Sequence, residues 1–107
     1  MTTPETPGWV GLGPAERIPL GEGRTFVVGD QGIAVFRQRD GSVAAVQSRC
    51  PHASGPLAEG MVGGGMVICP LHSYRFDLNT GECLNDPTVC LRTFEVREQG
   101  GELLVRV

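Results

Sequence analysis

Two cysteines and two histidines stand in two short boxes, Cys50-Pro51-His52 and Cys69-Pro70-Leu71-His72. The first reads Cys-x-His and the second Cys-x-x-His, with 16 residues between His52 and Cys69. The chain has 2 histidines in all, and both fall in these boxes. Packing alone does not explain that placement. Two thiolates and two neutral imidazoles make a complete four-ligand metal set, delivered by two loops of like composition. Two inorganic fillings suit such a set. A tetrahedral zinc ion takes two cysteines and two histidines as structural ligands. A two-iron, two-sulfide cluster takes two cysteines on one iron and two histidines on the other. Zinc would make the chain a structural or interaction module; the cluster would make it an electron carrier.

Either filling needs a scaffold that aims both loops at one point. Short β-type runs parted by turn signals dominate the chain. Trp9–Leu12 and Arg24–Val28 read as strands, followed by a turn over Gly29–Gly32 and a strand over Ile33–Arg37. Asp40-Gly41 is a hairpin turn with residues suited to positive φ, and Val43–Gln47 returns. That meander leads directly into the first box. Between the boxes, Met61-Val62 and Met66–Ile68 flank Gly63, Gly64 and Gly65. No Lys or Ser/Thr follows at phosphate-loop spacing, so the triplet reads as a tight turn. After the second box, Cys90–Arg97 alternates inward and outward residues, and Gly100-Gly101 turns it into Leu103–Val107. Ala15-Glu16-Arg17 reads as a single helical turn, and no window carries a helical stripe of useful length. The expected fold class is all-β, a small antiparallel sandwich or barrel.

Size and charge narrow the function. At 107 residues the chain suits one domain. Its 16 Gly and 8 Pro make it turn-rich without suggesting disorder. The net charge is −3 and every cation is Arg, which argues against a nucleic-acid partner. No apolar run approaches the roughly 20 residues that span a bilayer, so no membrane partner is expected. The opening residues Met1–Gly8 carry neither a basic nor an apolar signal segment and read as a flexible leader, with the cytoplasm as the expected compartment. Cys83 and Cys90 have no nearby His and read as buried small thiols. Trp9, Phe26, Phe36 and Phe94 read as core. Ser54 and Ser73 have no adjacent general base, so nucleophilic catalysis finds no support.

The chain resembles the Rieske iron–sulfur family at Cys50-Pro51-His52-Ala53-Ser54-Gly55-Pro56-Leu57. It does so again at Cys69-Pro70-Leu71-His72-Ser73-Tyr74-Arg75-Phe76-Asp77-Leu78-Asn79-Thr80-Gly81-Glu82. The second stretch is the more specific, because Phe76, Asp77 and the Thr80-Gly81 turn keep register with the ligands. The resemblance implies one [2Fe–2S] cluster per chain, held between the tips of two hairpin-like loops. Cys50 and Cys69 would supply the thiolates, and His52 and His72 the neutral nitrogens. It also implies a leader over residues 1–8 and a single Rieske domain over 9–107, with a two-loop cluster-binding subdomain over about 49–83. High-potential members add a loop disulfide whose cysteines would fall at Gly55 and Leu71. They also add serine and tyrosine hydroxyls at the positions of Tyr74 and Phe76. Lacking these donors, the chain resembles the low-potential, ferredoxin-type members.

Within the family the chain is similar to two groups. One is the small subunit of assimilatory NAD(P)H nitrite reductase, through Ile33–Arg37, Phe76–Leu84 and Leu91–Arg97. That likeness implies a partner carrying flavin, an iron–sulfur cluster and siroheme. The other is the ferredoxin of aromatic-ring dioxygenase systems, whose partners are a reductase and a terminal oxygenase. In either case the chain is expected to carry electrons and not to catalyse alone. Docking is expected at the cluster end, framed by Ser54, Gly55, Pro56, Leu71 and Ser73.

Overall fold

Ile33, Ala34, Val35 and Phe36 are four consecutive apolar residues, and a strand buries such a run only when both its faces are covered. In the computed structural model, which describes residues 8–51, 55–70 and 74–107, both are covered. Strand neighbours point to opposite faces. Ile33 and Val35 accordingly join one buried cluster, and Ala34 and Phe36 join another. The next strand repeats the division, with Ala45 in the first cluster and Ala44 and Val46 in the second.

Nine strands run in chain order among the described residues. They are β1 (Trp9–Pro14), β2 (Glu22–Val28), β3 (Gln31–Arg37), β4 (Val43–Gln47), β5 (Met61–Gly63), β6 (Met66–Ile68), β7 (Arg75–Asp77), β8 (Thr93–Gln99) and β9 (Glu102–Arg106). Among the described residues the helical content is two single 3-10 turns, Ala15–Arg17 and Leu57–Glu59, and the fold is all-β. Six strands form one antiparallel sheet in the order β1-β9-β8-β4-β3-β2, and β5-β6-β7 form a second. The edge strands β1 and β2 both feed the first cluster, through Val10, Leu12, Phe26 and Val28. Edges can share a core only if the sheet curls, which makes it a half-barrel. The second cluster lies on the other face of β3 and β4. There the small sheet and the loop stems pack onto it through Cys50, Leu57, Val67, Cys69 and Phe76. Phe36 and Phe76 are fully buried, and each contributes roughly 1.5–3 kcal/mol relative to an exposed ring.

The Gly triplet turns the chain as expected. Gly63 pairs with Met66, leaving Gly64 and Gly65 as a two-residue loop with φ of 60° and 78°. Two positive φ values define the hairpin turn whose twist matches its strands. Other expectations need correction. The strand placed at Cys90–Arg97 starts at Thr93. Leu91 is instead drawn toward the small sheet, its N–H donating to the Gly81 carbonyl at 2.7 Å. Phe36 is core and Phe26 and Phe94 pack half-buried against the first cluster, but Trp9 belongs to neither cluster. Trp9 lies under the Arg97 guanidinium, 4.2 Å from the ring centre. No helix among the described residues is long and apolar enough to cross a membrane.

Candidate metal centre

The first box grows out of β4. The Leu57 N–H donates to the Ser48 carbonyl at 3.0 Å, Arg49 bridges Pro56, and the Cys50 N–H donates to the Gly55 carbonyl at 2.9 Å. Residues 48–50 and 55–57 therefore form a narrow two-stranded stem. The second box grows out of β6 in the same way. Ile68 pairs with Arg75 of β7, and the Cys69 N–H donates to the Tyr74 carbonyl at 2.8 Å. In each box the cysteine is the first residue of a loop closed by its own N–H onto the residue five positions later. Proline follows each cysteine, and because Pro has no N–H it leaves no donor to satisfy there.

Both cysteines end in one place. Cys50 and Cys69 are each 1% exposed, both are free thiols, and both belong to the cluster that holds Phe36, Leu57, Val67 and Phe76. Tyr74 packs against the same cluster. Two buried thiols, one from each stem, fit the thiolate half of the donor set. His52 and His72 lie outside the described residues, as do Ser54, Leu71 and Ser73. Of the residues expected to frame a docking edge, Gly55 is buried and Pro56 half-buried, because both sit in the stem. Pro51 and Pro70, next to the cysteines, are exposed.

The profile of the Rieske [2Fe-2S] domain matches residues 8–95, most of the chain. The chain belongs to the Rieske [2Fe–2S] family. A Rieske [2Fe–2S] cluster is therefore the cofactor that its domain implies. It is similar to the anthranilate 1,2-dioxygenase ferredoxin subunit of Burkholderia cepacia, with 34% identity covering 100% of this chain and 99% of that one. A structure from Mycobacterium tuberculosis, provisionally assigned as an NADH-dependent nitrite reductase small subunit, superposes with a TM-score of 0.85. It is 33% identical and covers 92% of this chain and 95% of its own. A complex of reduced oxygenase and oxidized ferredoxin in carbazole 1,9a-dioxygenase matches with a TM-score of 0.81 and 29% identity, covering 94% of each chain. The Rieske protein spans only 22% and 18% of two longer relatives. These are 4beta-methylsterol monooxygenase of Methylococcus capsulatus, 37% identical over 66% of this chain, and the dicamba O-demethylase oxygenase component of Stenotrophomonas maltophilia, 42% identical over 61%.

The two spare thiols differ. Cys83 is buried at 6% exposure beside Phe76, as expected, whereas Cys90 is exposed. The reason is register: Glu82 bridges Cys90, so Cys90 shares the outward side of that pair while Cys83, one residue on, faces inward. A maleimide applied to the folded, cluster-loaded Rieske protein should therefore modify Cys90 and spare Cys83. Peptide mapping that finds Cys83 labelled first would contradict this register.

Sequence reasoning missed the residues that brace the stems. The Gln47 side chain donates through Nε2 to the Arg49 carbonyl at 2.7 Å and accepts the Arg92 N–H through Oε1 at 2.8 Å. Asn85 Oδ1 accepts the Arg75 N–H at 2.8 Å. Neither residue lies in a motif. Gln47 stands three residues before Cys50, but Asn85 lies well beyond the second box, and no local signal marks it.

Proposed function

We propose that Cys50, His52, Cys69 and His72 hold the [2Fe–2S] cluster, within a domain spanning residues 9–107 whose cluster-binding part is about 49–83. The bound cluster supplies a one-electron store. The chain supplies the rest. The two stems fix where the thiols stand, and the apolar cluster of Phe36, Leu57, Val67 and Phe76 keeps water from the cysteine side. Neutral imidazole ligands in place of two thiolates remove negative charge and make an electron easier to accept.

Phe76 bears on the potential. It is fully buried in the same cluster as both cysteines and has no hydroxyl to donate. Hydrogen bonds to the sulfurs raise the potential, so their loss lowers it. The expected midpoint is about −150 mV, rather than toward about +300 mV. A redox titration placing it above roughly zero on that scale would contradict the low-potential reading.

For the physiological role we propose the small, non-catalytic subunit of a cytoplasmic NAD(P)H nitrite reductase, passing electrons within a complex with a siroheme flavoprotein. The superposition at a TM-score of 0.85 over nearly the whole of both chains supports it most. Four free cysteines also suit a reducing compartment. The second reading, a ferredoxin between a reductase and an aromatic-ring oxygenase, is supported by the full-length likeness to the anthranilate dioxygenase ferredoxin. Deleting the gene separates them. Loss of growth on nitrite as sole nitrogen source is expected. Normal growth on nitrite with loss of growth on an aromatic acid would favour the ferredoxin. In both readings the partner docks at the loop tips, so Leu71→Asp should spare the cluster and slow transfer to the partner.

A further inference from the structure

Backbone groups along a paired stem point alternately toward the partner strand and away from it. Those pointing away still need a partner. At each cysteine loop one such outward group is met by a side-chain carboxamide. In the first stem Ser48 and Cys50 bond across to Leu57 and Gly55, so the carbonyl of the intervening Arg49 faces outward. Gln47 Nε2 donates to it at 2.7 Å. The other end of the same side chain accepts the Arg92 N–H at 2.8 Å, and the Gln47 N–H donates to the Arg92 carbonyl at 2.9 Å. The peptide that enters Cys50 is thus tied through one side chain to the entry of β8. In the second stem Cys69 bonds across to Tyr74, and Arg75, the next residue, faces outward. Its carbonyl accepts the Leu84 N–H at 2.8 Å, and its N–H donates to Asn85 Oδ1 at 2.8 Å. Asn85 stands where a strand carbonyl would otherwise continue the pairing.

We infer that Gln47 and Asn85 are positioning residues for the cluster, each holding the peptide next to one cysteine loop so that the two thiols meet at a set separation. The inference rests on Cys50 and Cys69 being ligands. Each cysteine starts a loop that is closed at its base by the bond of the cysteine's own N–H. Without the outward brace the stem can rock, and the thiol rocks with it. Gln47 and Asn85 act on opposite stems, so loss of either misplaces one thiol relative to the other.

The two braces use opposite chemistry, and that makes them testable. Asn85 offers an acceptor, which Asp also provides. Gln47 offers the loop a donor, which Glu lacks, while Glu keeps the acceptor for Arg92. Four variants of the cluster-loaded protein decide the matter: Asn85→Asp, Asn85→Leu, Gln47→Glu and Gln47→Leu. Bleaching of the visible band under a chelator, the EPR line width of the reduced protein and the denaturant midpoint would be measured for each. Asn85→Leu, Gln47→Glu and Gln47→Leu should bleach about threefold to tenfold faster, the loss expected for one hydrogen bond, with broadened EPR lines. Asn85→Asp should match the parent. If Gln47→Glu matches the parent, or Asn85→Asp behaves like Asn85→Leu, the inference fails. It also fails if bleaching follows the denaturant midpoint while the EPR lines stay sharp, since that is general stability. A parent protein that takes up no cluster would instead overturn the ligand assignment beneath it.

Discussion

Replacing any one of Cys50, His52, Cys69 or His72 by Ala should abolish the red-brown colour of the loaded protein. Stability should fall by an amount on the order of several kcal/mol, because metal-site binding energy is folding energy when the unfolded chain has no preformed site. The effect should be larger at the cysteines than at the histidines. Each cysteine is 1% exposed in a packed cluster, so its removal also leaves a small cavity. Cys83→Ala and Cys90→Ala are the controls. The first should cost only the packing of one small buried side chain, the second almost nothing, and both should keep the cluster. Iron analysis with the visible spectrum reads all six variants. Full occupancy after His52→Ala would sink the four-ligand assignment, and iron loss after Cys90→Ala would show that an exposed thiol had been misjudged. A colourless protein containing one zinc per chain would return the site to the structural filling.

Gly81→Ala should be strongly destabilising although Gly81 is no ligand. Gly81 is buried with φ of 82°. An L residue there costs about 1–2 kcal/mol from backbone sterics alone. Space is short as well, because a Cβ at Gly81 would run into the Leu91 carbonyl oxygen. That carbonyl cannot simply move, since the Leu91 N–H is bound to the Gly81 carbonyl at 2.7 Å. Crowding of this kind adds about 1–3 kcal/mol, so a total loss of roughly 2–5 kcal/mol is expected. The turn also fixes the chain that follows β7. Asp77 Oδ1 accepts the N–H groups of Asn79 and Thr80, and the Asp77 N–H donates to the Glu82 carbonyl at 2.8 Å. Phe76 and Cys83 are thereby held as a bridged pair in the buried cluster that also contains Cys69. Denaturant unfolding of the cluster-free protein should show the loss directly, and the loaded protein should bleach at a lower temperature. An unchanged unfolding midpoint would mean the turn relaxes in a way the packing does not suggest.

Much of this was legible in the chain. The four candidate ligands stand out because both histidines and two of the cysteines fall into paired boxes, a pattern that packing does not produce. The strands of the large sheet were readable where a run is long enough to show its period. Thr93–Gln99 alternates in that way, Val43–Gln47 was readable as a short apolar run between turns, and the Gly64-Gly65 turn was readable from composition. Tertiary structure decided the remainder. Arg75–Asp77 is too short to show alternation, and it is a strand because Phe76 pairs with Val67 inside the second cluster. Cys90 and Leu91 alternate like a strand but are pulled from β8 by the bond from Leu91 to Gly81. That bond turns Cys90 outward. The two faces of β3 look alike in a row of four apolar residues. Which face receives the cysteine loops depends on the packing of β6, β7 and both stems against Ala34 and Phe36. Gln47 reaches Arg92 across 45 residues of chain and Asn85 reaches Arg75 across 10. Local pattern reports a residue's own period and turn chemistry. It does not report a partner brought near only when the chain has closed.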